Sequence, residues 1–127
     1  MESPTDKKHY PLLIGVVGVC ASGKSTLIEG LVTRGYLARH IAQEHSYVKD
    51  MWKRITNPDL LIFLDASFEA TCQRRKLDWT EKDYAEQQHR LANARDHANL
   101  YLDTTTLDAE EVLTLAVKFL DEYSQEK

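Results

Sequence analysis

The chain has 127 residues, 43% of them hydrophobic, and its 16 basic and 20 acidic residues leave a formal charge of −4. This is the length of one domain, able to bury roughly two-thirds of the surface its unfolded chain exposes. No basic stripe marks a nucleic-acid partner, and no apolar run is long enough to span a membrane.

The opening MESPTDKKHY is polar and lacks the apolar centre of a secretion signal, so residues 1–10 are expected to form a flexible tail before a single domain over 11–127. LLIGVV, residues 12–17, is a continuous apolar run and predicts a parallel strand buried on both faces. GVCASGKS, residues 18–25, follows and fits G-x-x-x-x-G-K-[ST], the Walker A pattern. Its glycines let successive backbone N–H groups curl around an anion, and the helix starting near Lys24 adds its positive dipole end. The candidate phosphate ligands are Gly18, Cys20, Ala21, Ser22, Gly23, Lys24, Ser25 and Thr26. Lys24 is placed to lie over the outer phosphates, and Ser25 to offer its hydroxyl to Mg²⁺. Cys20 and Cys72 are too few for a disulfide framework and suit a reducing, cytoplasmic setting.

A helix over 24–34 carries Leu27, Ile28, Leu31 and Val32 on its apolar face, with Gly35 as its stop. Residues 36–42 form the next strand. Ser46 then caps a short helix to residue 56, in which Val48, Met51, Trp52 and Ile55 face inward at i, i+3, i+4 and i+7. TNPD is a turn, LLIFLD at 60–65 a second buried strand, and Ser67 the cap of the following helix. Thr80 with Asp83 resembles a capping box and opens a long helix to about Asn99. LYLD at 100–103 is the fourth strand. Asp108 and Glu111 start the last helix, with Val112, Leu115, Ala116, Phe119, Leu120 and Tyr123 inward. Strands alternating with helices imply a three-layer α/β fold with an open parallel sheet of about four strands.

The Walker A loop and the segments NPDLLIFLDASFEATCQRR and LYLDTTTLDAEEVLTLAVKFL make the chain resemble the P-loop NTPases, in particular the nucleotide, shikimate and dephospho-coenzyme A kinases. The resemblance implies ATP and Mg²⁺ as cofactors, and a sheet ordered 2-1-3-4 with residues 36–42 beside the first strand. The usual long acceptor-binding insertion is absent. QEHS, residues 43–46, then leaves the carboxyl end of the second strand, where ligands sit in open sheets. Two acids compete for the Mg²⁺-associated position: Glu44 by that mapping, and Asp65 because four apolar residues precede it. Gln43 and His45 share the edge with Glu44 and can orient a nucleophile or an acceptor phosphate. Arg74 and Arg75 stand where the branch places lid arginines, with Arg90 and Arg95 as further candidates; surface ion pairing is the competing explanation for each. Thr104 and Thr105 match the loop that packs the adenine. No N-K-x-D run occurs to read guanine, which favours ATP over GTP. Two functions are therefore expected to compete: a minimal ATP-dependent kinase for a small acceptor, and a nucleotide-binding module or slow NTPase switch acting on a protein partner.

Overall fold

The computed structural model describes residues 12–75 and 79–125; the tail expected over residues 1–10 lies outside them. In chain order the elements are β1 (Leu13–Gly18), α1 (Lys24–Thr33), β2 (Leu37–His40), a 3₁₀ turn (Gln43–His45), a π-helical turn (Trp52–Thr56), β3 (Leu60–Asp65), α2 (Phe68–Arg75), α3 (Glu81–His97), β4 (Leu100–Asp103) and α4 (Ala109–Gln125). The four strands form one parallel sheet in the order β2-β1-β3-β4, the arrangement expected from the sequence.

The apolar runs of β1 and β3 are buried because both faces of the sheet are covered. Side chains alternate along a strand, so Ile14, Val16, Leu60, Ile62 and Leu64 meet Leu27 and Leu31 of α1 and Val112, Ala116 and Leu120 of α4. Val17, Leu61 and Phe63 point the other way, onto Trp52 and onto Leu91 and Ala94 of α3. This is a three-layer α/β fold with an open, all-parallel sheet.

Local signals set most of the boundaries. Gly35, at a φ of 93°, ends α1 in a Schellman motif, with Tyr36 N bonded to Leu31 O and Gly35 N to Val32 O. Thr80 and Asp83 exchange the two bonds of a capping box. Asp108 and Glu111 do the same at α4, at 2.7 and 2.9 Å.

The helix expected over 46–56 does not form. The buried side-chain amide of Gln43 donates to Val48 O at 2.8 Å and accepts from Trp52 N at 2.8 Å. These bonds satisfy backbone groups that a helix would otherwise have to satisfy. Only a π-helical turn remains, closed by Asn57 N on Trp52 O and by the left-handed Asn57. Trp52 is buried, but Val48 and Ile55 are exposed, so the apolar spacing there reflects no buried helix face. Leu115 is likewise exposed rather than inward, and α3 stops at His97, short of Asn99.

All four strands end on one edge, and the site is built there. At that edge β1 and β3 come close. A Cβ on Gly18 would lie 2.1 Å from Leu64 O, a backbone atom that cannot swing away. Gly30, where α1 crosses α4, would instead meet the methyl groups of Leu113 at 2.8 Å. Gly18→Ala should therefore lower the unfolding free energy by more than about 2 kcal/mol. Gly30→Ala, opposed only by a mobile side-chain end, should cost about 1 kcal/mol or less. Urea unfolding of the two variants checks this, and equal losses would refute the rigid approach at Gly18.

Candidate nucleotide-binding site

Crossing from β1 to β2 on one side and continuing through β3 on the other leaves a crevice beyond the carboxyl ends of the central strands, the usual ligand position in open α/β sheets. Residues 18–25 line it. Gly23, at φ 103°, caps α1 without any side-chain hydrogen bond. The N–H groups of Lys24, Ser25 and Thr26 therefore stand at an uncapped helix start, where an anion is favoured.

Lys24 folds back under the loop. Its Nζ donates to Gly18 O at 2.7 Å and Val19 O at 3.0 Å, and lies 3.2 Å from Glu44 Oε2. Both side chains are buried, at 7% and 3% exposure. The 3₁₀ turn after β2 is what presents Glu44, and Arg90 steadies that turn through Glu44 O at 3.3 Å while lying over the Tyr47 ring. Glu44 Oε1 and Ser22 Oγ are buried with no hydrogen-bond partner among the described residues.

Two recesses flank the loop. One, of about 320 Å³, is lined by Cys20, Ala21, Gly23, Lys24, Ser25, Thr26, His40, Glu44, His45 and Arg75. The other, of about 290 Å³, runs from Ala21, Ser22, Gly23 and Thr26 to Arg74, Thr104, Leu107, Asp108 and Val112. They meet along Ala21, Gly23 and Thr26. In the first, burial and then the Lys24 charge push the His40 imidazole below its usual pKa, so it stays neutral near pH 7 and can accept a proton.

The structure divides the expected site residues. Glu44 faces Lys24 in the first recess, whereas Asp65 lines neither. Its carboxylate accepts from Ala66 N and Gln88 Nε2, each at 2.9 Å, and from Tyr101 Oη at 2.6 Å. Arg75 reaches the first recess. Arg74 clips the two loops together, donating to Ala21 O at 2.9 Å, Thr104 Oγ1 at 3.2 Å and Thr104 O at 2.5 Å. That clip holds Ala21 in its left-handed conformation, φ 64°. Thr104 is buried and donates to Ser22 O at 2.8 Å. Thr105 turns away, accepting from Ser67 N and donating both its hydroxyl and its backbone N–H to Asp103 Oδ1; the two bonds to Asp103 hold its carboxyl below the usual range. Arg90 and Arg95 serve α3 and its neighbours: Arg95 lies over the Phe63 ring and donates to Gln88. Gln43 is structural, and His45 is exposed beside Glu44.

Sequence reasoning missed His40, Gln87, Leu107 and Asp108. His40 ends β2, so the rule of carboxyl strand ends points to it. Gln87 clamps Cys20 from α3, and no sequence spacing announces that contact. Compared with models of known protein families and with curated proteins, the chain matches none.

A buried ion pair that loses one partner leaves an uncompensated charge, at a cost of about 3 kcal/mol. Lys24→Met and Glu44→Leu should each destabilise by about that much, and the double variant by clearly less than their sum. Denaturant unfolding of the four proteins measures the coupling; strict additivity would mean the pair is energetically idle.

Proposed function

We propose that the two recesses form one nucleotide site, with phosphates on the 18–25 loop and the base beside Thr104, and that the protein is a minimal Mg²⁺-dependent kinase of the P-loop NTPase class. ATP is the nucleotide and a small molecule the phosphoryl acceptor. The observation that carries this reading is the convergence of an uncapped helix start, the buried Lys24 and the carboxylate of Glu44 in a cleft continuous with a second recess.

The oxygen donors present suit a hard cation: the exposed Ser25 hydroxyl, and Glu44 Oε1, which has no partner among the described residues. When bound there, Mg²⁺ would neutralise phosphate charge. Lys24 and the α1 N–H groups would hold the outer phosphates, and Arg75 would supply a further positive charge to the transferring group. The neutral His40 imidazole can take the proton that an acceptor hydroxyl gives up. Arg74, held by three carbonyl and hydroxyl contacts, acts by fixing the loops rather than by moving.

The short path from β2 to β3 supports a second reading, a nucleotide-dependent switch whose partner surface responds to the γ-phosphate. Under both, Mg-ATP at a hundred times its dissociation constant should stabilise the fold by about 2.7 kcal/mol. Lys24→Met, compared with its own nucleotide-free state, should lose most of that gain. Thermal unfolding with ATP, ADP and GTP tests the binding, and no shift with any of them refutes it. Release of ADP that rises with a hydroxyl or phosphate acceptor supports the kinase. Release that stays at the acceptor-free rate across the screen supports the switch.

A further inference from the structure

At the rim of the first recess, Cys20, Glu44 and His45 bring a sulfur, a carboxylate oxygen and an imidazole nitrogen within 4.8 Å of one another. Cys20 Sγ and His45 Nε2 are 4.0 Å apart, and His45 Nε2 is 3.7 Å from Glu44 Oε2. A tetrahedral zinc ion, bonded at about 2.3 Å to sulfur and about 2.0 Å to nitrogen and oxygen, sets such separations at about 3.6 and 3.3 Å. The two separations from His45 are each about 0.4 Å longer than those of a formed site.

Two further observations point to a ligand. Glu44 Oε1 is buried and unpartnered, a costly state for a carboxylate oxygen. Oε2 is the oxygen 3.7 Å from His45 and 3.2 Å from Lys24; rotation of the carboxylate about its Cγ–Cδ bond would give one oxygen to a cation and leave the other to Lys24. Gln87, itself buried, accepts from Cys20 N at 3.0 Å and donates through Nε2 to Cys20 Sγ at 3.1 Å. A donor aimed at sulfur fixes its direction, as outer-shell groups do around metal ligands.

We propose that Cys20, Glu44 and His45 form a three-ligand site for a transition-metal ion of the zinc class, with a fourth position open to the recess. The mixed sulfur, nitrogen and oxygen set suits Zn²⁺ or Co²⁺ and is too soft for Mg²⁺ or Ca²⁺. Binding releases the Cys20 thiol proton to solvent and replaces the S–H bond with a metal–sulfur bond. The Lys24 ammonium opposes the incoming cation, and two anionic ligands offset it. A bound ion would join the 18–25 loop to the turn after β2, in addition to the contact made by Lys24. Because Glu44 also serves the Mg²⁺ position proposed above, the two cations would compete for it, and the assignment here rests on the geometry of the cluster rather than on nucleotide binding.

The test is a titration of the untagged, reduced full chain with Co²⁺. The expected result is one equivalent bound, with a sulfur-to-cobalt charge-transfer band in the near ultraviolet and the visible bands of a tetrahedral ion. Zn²⁺ should bleach them and excess Mg²⁺ should not. Cys20→Ser should remove the charge-transfer band, and Cys72→Ser should leave it intact. His45 is exposed, so His45→Ala should fold and weaken Co²⁺ binding at least tenfold; Gln87→Leu should weaken it by about tenfold. A folded protein without the sulfur band, or a band that survives in Cys20→Ser, overturns the assignment. Unchanged affinity in His45→Ala does so as well, and that readout does not depend on the folding of a cysteine variant.

Discussion

An ammonium group has three hydrogens to donate, and the Lys24 ammonium spends them on two consecutive carbonyls, Gly18 O and Val19 O, and on Glu44. Those acceptors belong to the end of β1, the start of the loop and the turn after β2. One side chain thereby sets how the loop curls and where the neighbouring strand delivers its acid. Because both charges are out of water, neither is tolerable without the other, so this edge of the sheet behaves as one unit. The price of this arrangement is an oxygen, Glu44 Oε1, left without a partner among the described residues, and both ligand readings of the edge start from it.

On the other side of the loop, a charged donor meets only uncharged acceptors. Arg74 gathers Ala21 O and both oxygens of Thr104, and Thr104 passes a hydrogen bond on to Ser22 O. A residue that looks from sequence like a mobile lid cation is thus fully occupied, whereas its neighbour Arg75 faces the recess. One helical step, about 100° around the axis, separates the two roles.

The legible parts of the fold were those governed by local rules. LLIFLD and LYLD matched their strands end to end, and both capping boxes formed, because strand burial and cap bonds are decided within a few residues. The strand order matched as well, but it was expected from the resemblance and not from any local rule. The segment from 46 to 56 was not legible. Its conformation is set by Gln43, whose amide competes for the backbone from outside the apolar pattern. At the site, the loop and Glu44 were visible as motif and strand end. Asp65 satisfied the same simple pattern, yet its carboxylate is taken by Tyr101 and Gln88, and sequence holds no sign of that pairing. Contacts made from α3, such as Gln87 on Cys20, lie 67 residues away in the chain and follow from packing alone.

The long reach of these contacts also orders events in time. Beyond the loop's own bonds from Lys24 and Ser22, several partners that shape residues 18–25 are encoded after them: Leu64 beside Gly18, Arg74 on Ala21, Gln87 on Cys20 and Thr104 on Ser22. A ribosome finishes the loop early, but the loop cannot acquire its shape until β4 and the residue after it have emerged. An incomplete chain therefore carries the motif without the folded loop.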